Sequence, residues 1–81
     1  MQNSLDKQDK DILKLTKLCK HWADHNNSHQ ESFIKWRDIA SNKGLESIVE
    51  KLNKAIEMLD KCNEYLLAAY NELLSEDYSK Y

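Results

Sequence analysis

Eighty-one residues with no Pro, one Gly, 32% charged side chains and a net charge of -2 describe one small domain built from long helices. The near balance of charge withholds the basic field that nucleic acid invites, and no apolar run approaches the roughly 18 residues that cross a membrane. Two cysteines without a secretion signal read as reduced thiols, which makes the cytoplasm the default compartment.

The chain opens on MQNSLDKQDKD, which mixes acids and bases and has no signal-peptide core. A seven-residue apolar pattern then runs through Leu5, Ile12, Cys19, Asn26, Phe33 and Ala40. Leu15, Trp22, His29 and Trp36 are its expected partner positions, with Leu18, His25 and Ile39 widening the stripe. Asn26, Asn27 and Ser28 are mediocre helix formers, and Ser28 to Glu31 reads as a capping box. The heptad phase nevertheless passes through this stretch without a slip. The expectation is one helix over about 5–43, with a three-helix bundle broken near Asn27 as the alternative.

Asn42-Lys43-Gly44 is a helix stop, because Gly is free to take the left-handed cap conformation. Beyond it, a second helix is expected over about 45–75. Its seam is Leu45, Leu52, Leu59, Leu66 and Leu73, alternating with Ile48, Ala55, Cys62 and Ala69. Val49, Ile56, Asn63 and Tyr70 widen it. The tail, 76–81, loses the pattern and is expected to fray.

Together these elements predict an all-α antiparallel hairpin turning at Gly44. Residues 1–43 carry eight Lys or Arg against six acids, and residues 44–81 four Lys against eight acids, so the two arms attract. One neighbouring helix cannot cover stripes this wide. Pairing of two chains into a homodimeric four-helix bundle is the expected solution.

All three histidines, His21, His25 and His29, fall within KHWADHNNSHQ at helical spacing. A turn at Gly44 sets Asn26 level with Cys62 and Asn63, His29 level with Leu59 and Asp60, and His25 near Asn63 and Glu64. The polar interruptions of both seams thus meet at one height. Histidines at i and i+4 share a helix face and chelate one ion, and a Cys62 thiolate would add a third ligand. Water, His21, Asp24 or Glu64 would complete a tetrahedral site, or a second subunit would supply the missing ligands. Imidazole and thiolate suit a transition ion such as Ni(II), Zn(II), Co(II) or copper rather than Ca(II) or Mg(II). His21 diverges from His29 by about 80° around a straight helix and is the weaker ligand.

The competing explanation is a polar layer in which Asn26, His29 and Asn63 fix register without any metal. A Cys19–Cys62 bridge is excluded within such a hairpin, because the two stand about 10 Å apart along the axis. Lys7, Lys10, Lys14, Lys17 and Lys20 line a basic stripe diluted by Asp6, Asp9 and Asp11, which reads as a solvated face. Met58 with a histidine is too little for haem, and no Glu-x-x-His, HExxH or phosphate-cradling glycine loop occurs. The expectation is therefore a non-enzyme.

The run His21-Trp22-x-x-His25-Asn26-x-x-His29-x-x-x-Phe33-x-x-Trp36, followed by Gly44 and a Leu-rich helix, resembles a small uncharacterised helical domain family. The family is associated with archaea and anaerobic bacteria, and some of its members carry His-rich tails. The resemblance spans about residues 12–74 and implies metal handling by association. This chain has no His-rich tail, and Cys62 lies outside the pattern. Two functions stay open: a small cytoplasmic transition-metal carrier, buffer or sensor using His25 and His29 with Cys62, or a structural or protein-interaction module.

Overall fold

A computed structural model describes the backbone of residues 2–75 and the side chains of residues 10–75. Two helices, α1 (Gln2–Asn42) and α2 (Glu46–Ser75), pack as an antiparallel hairpin about 63 Å long and 15 Å wide, with no strand among the described residues. The side chain of Leu5 and the tail 76–81, expected to fray, lie outside the described residues. None of the helices is long and apolar enough to cross a membrane among those residues.

The first helix runs unbroken through Asn26-Asn27-Ser28, so the three-helix alternative does not occur. Asn side chains weaken helices when they compete for local backbone groups. Here the amides of Asn26 and Asn27 reach across to Asn63 instead, and the helix continues beneath them.

The turn is a Schellman cap. Leu45 N–H donates to Ala40 O and Gly44 N–H to Ser41 O, both at 3.0 Å, while Gly44 takes φ 74°. Leu45 O then accepts from Val49 N–H at 3.0 Å, so the residue closing α1 also opens α2. A connection this tight leaves α2 little freedom to rotate about α1. The cap itself selects which side of each helix faces inward.

That selection differs from the expected seam. The α1 residues turned inward are Ile12, Thr16, Cys19, Ala23, Asn26, Gln30, Phe33, Arg37 and Ala40, with Leu18 and Ile39 half-buried at their edge as expected. The heptad backbone of the pattern is retained, but its partner positions are Thr16, Ala23, Gln30 and Arg37. Leu15, Trp22, His29 and Trp36 are exposed. On α2, Val49, Leu52, Ile56, Leu59, Asn63, Leu66, Tyr70 and Leu73 face inward; of the expected alternating positions Ala55 and Ala69 are half-buried, while Ile48 and Cys62 lie outside.

The physical reason is close approach. Cys19, Ala23 and Ala40 are the buried apolar residues among those described, and their small side chains let the two backbones come together. Two indoles in the same seam would hold the helices apart. The chain exposes 6425 Å², where a compact monomer of 9.6 kDa exposes roughly 5,100 Å², in keeping with its elongated shape.

Candidate functional site

The polar layer anticipated at mid-height is present, with a different membership. Asn63 is 7% exposed, the one buried polar residue among those described. Its Oδ1 accepts from Asn26 Nδ2 at 3.0 Å, and its Nδ2 donates to Asn27 Oδ1 at 2.9 Å. Asn26 Nδ2 also points at Cys62 Sγ, 3.5 Å away. Asn27 thus takes the place expected of His29. One helical turn toward the cap, Gln30 Nε2 donates to Ile56 O at 3.1 Å and to Asp60 Oδ1 at 2.6 Å. Further on, Arg37 Nη1 donates to Asn53 Oδ1 at 3.1 Å. These three rungs tie the helices together at defined heights.

The rungs formed by Gln30 and Arg37 lie along one edge of the seam. Along the other edge stands a second seam, apolar and open. It is made on α1 by Leu15, Leu18, Trp22, His25, His29, Ser32, Trp36 and Ile39, which repeat at alternating three- and four-residue steps, with Leu18 and Ile39 half-buried. Trp22 is 43% exposed and Trp36 57%. The neighbouring flank of α2 shares this face. Toward the cap, Trp36 and Ile39 line one groove with Leu45, Ile48 and Leu52. Toward the open end, Leu15 and Cys19 line another with Ala69 and Leu73.

The histidines occupy the middle of that face. His25 and His29 approach with their Nε2 atoms 2.9 Å apart and their rings near perpendicular. His21 stacks beside His25 with ring centroids 6.1 Å apart, and its Nε2 takes no part in the short contact. His29 in turn lies 6.5 Å from the Phe33 ring. Cys62 is an exposed free thiol and Cys19 a buried one. Asp24, a candidate fourth ligand, is held by Lys20 at 2.9 Å. The hydrogen bond to Asp24, and then its charge, raises the Lys20 ammonium above its usual range.

Of the four candidate ligands the structure therefore pairs His25 with His29, sets Cys62 against Asn26, and leaves His21 beside the pair. Among the described residues no group of three or more His, Cys, Asp or Glu is gathered around one point. Two ring nitrogens make half a site. Asn27, Gln30, Arg37 and Asn53 join the rungs although the heptad pattern does not mark them. A signal for three of them was available, since Asn27 adjoins a seam position and Gln30 and Arg37 sit one turn past Asn26 and Phe33.

A sequence model for a domain of unknown function, DUF8180, matches residues 15–73. No curated protein and no solved structure matches the chain. The chain belongs to the DUF8180 family.

Proposed function

We propose that this DUF8180 protein is an assembly module: a hairpin that pairs with a second copy of itself through its open apolar seam to make a four-helix bundle. The observation that carries this reading is the pair of half-exposed tryptophans in heptad phase with Leu15, Leu18 and Ile39. Monomeric proteins rarely leave so long an apolar stripe in water. Leu15, Trp22, Trp36, Leu45 and Ile48 stand 43%, 43%, 57%, 47% and 47% exposed along this face, apolar surface that a second copy would cover. The Asn26–Asn63–Asn27 layer holds the two helices of each hairpin in register, which keeps the open seam in phase along its length.

Sedimentation equilibrium of untagged protein tests it. The expected mass is twice the 9.6 kDa of one chain at micromolar concentration. A 9.6 kDa species at all concentrations, with and without added Ni(II) or Zn(II), removes the reading.

Transition-metal binding is the second reading, favoured by the 2.9 Å approach of the His25 and His29 nitrogens. It makes the protein a carrier, buffer or sensor. Uptake of Ni(II) or Zn(II) by wild type, absent in a His25→Ala/His29→Ala variant, is its test.

A further inference from the structure

The open seam of α1 is self-complementary. Leu15 and Ile39, Leu18 and Trp36, Trp22 and Ser32, and His25 and His29 are each placed symmetrically about Asn27. Two copies of α1 laid antiparallel across a two-fold axis at Asn27 therefore meet in matched layers. Leu15 faces the partner's Ile39, and Leu18 faces the partner's Trp36. Trp22 faces the partner's Ser32, large against small, and His25 faces the partner's His29. At the ends, Asp11 and Lys43 are related in the same way, so each acid meets the partner's base.

The flank of α2 obeys the same axis. Cys62 stands level with Asn26, 3.5 Å from its amide. Ala55 and Ala69 are placed symmetrically about Cys62, and the half-buried pairs Leu52 and Leu73, and Leu59 and Leu66, at the edge between the closed seam and this face, are centred about half a residue beyond it. The two centres, Asn27 on α1 and Cys62 level with Asn26 on α2, agree to within about one residue, roughly 1.5 Å along the axis. That agreement favours stacking α1 on α1 over the alternative of stacking α1 on α2.

We infer that this axis carries a metal site: His25 and His29 of one chain, with the partner's His25 and His29, bind a single divalent transition ion through four imidazoles. The inference rests on the assembly reading above. Nitrogens bound at about 2.0–2.1 Å stand about 2.9 Å apart when they subtend a right angle at the ion, and about 3.3 Å apart at the tetrahedral angle. The observed 2.9 Å meets the first case and is a small opening from the second, which admits Ni(II) and Zn(II) alike. Without the ion the same spacing serves a hydrogen bond in which one ring donates and the other accepts. Each chain holds half of the ligand set, and the two-fold axis supplies the rest. The set contains neither His21, which stands outside the short contact, nor Cys62, whose sulfur faces Asn26.

Titration of untagged, chelator-treated protein with Ni(II) and with Zn(II), read by calorimetry and by sedimentation, tests this. The expected result is one ion per two chains and a tighter dimer with the ion present. His25→Ala and His29→Ala should each lose the ion while remaining helical, since both side chains are exposed in the hairpin. His21→Ala and Cys62→Ser should bind as wild type does. One ion per chain, loss of binding in Cys62→Ser, or a dimer that takes up no ion overturns the four-imidazole site and leaves the assembly reading standing. A chain that stays monomeric with and without the ion overturns the assembly reading itself.

Discussion

Two neighbouring seams run the length of α1, and they differ in kind. The closed one, around Cys19, Ala23, Asn26, Gln30 and Ala40, is small and polar; the open one, around Leu15, Trp22, His29 and Trp36, is large and apolar. Burial within the chain has gone to the less hydrophobic of the two. A helix pair held by a three-residue turn needs backbones that approach closely, and small residues allow it. Bulky side chains gain more where a second layer can close over them from a greater distance. The contrast separates what folds the hairpin from what the hairpin is built to join.

The largest expected effect breaks that contrast from the open side. A Trp22→Ala/Trp36→Ala variant should lose association by about 4 kcal/mol, near a thousandfold, at about 2 kcal/mol for each buried aromatic anchor. Sedimentation measures it, and circular dichroism should show the helices retained. Collapse of the helices in this variant would mean that the open seam folds the monomer.

From the closed side, Asn63→Ala strips the central rung and leaves the amides of Asn26 and Asn27 without their partner. Urea unfolding should show a loss of about 2–3 kcal/mol, the cost of orphaned polar groups in a partly buried layer. Gly44→Ala probes the cap that decides which seam is closed. An added Cβ meets nothing within 4 Å, so only the positive φ opposes it, and the expected loss is about 1–2 kcal/mol. The smallest effect belongs to a pair outside both seams. Lys20→Ala removes an exposed ion pair with Asp24 and should leave the urea midpoint unchanged. Asp24 raises the folded Lys20 pKa, so the pair is fully ionised at neutral pH, but its exposure to solvent screens away its effect on stability. The ion pair itself is lost only as pH climbs through the raised folded pKa of Lys20.

Much of the fold was legible in the residues. Gly44 after Asn42-Lys43 marked the turn, and unbroken heptad phase from Cys19 to Phe33 marked a continuous first helix. The height of the polar layer followed from the turn alone, because antiparallel helices rise at one rate. Membership of the layer was less accessible. His29 and Asn27 lie on opposite sides of Asn26, and the direction in which α2 approaches decides which one joins Asn63. For the same reason Leu15, Trp22 and Trp36 read as core partners and lie outside it.

The sequence by itself therefore determined two long helices, one reversal and the level at which polar groups meet. These are properties of periodicity, propensity and chain direction. Only the tertiary structure decided which half of a stripe wider than one helix can cover is turned inward. Hydrophobic pattern ranks faces by their apolar area. The Schellman cap at Gly44 and the small side chains of Cys19, Ala23 and Ala40 rank them by how closely two backbones can approach.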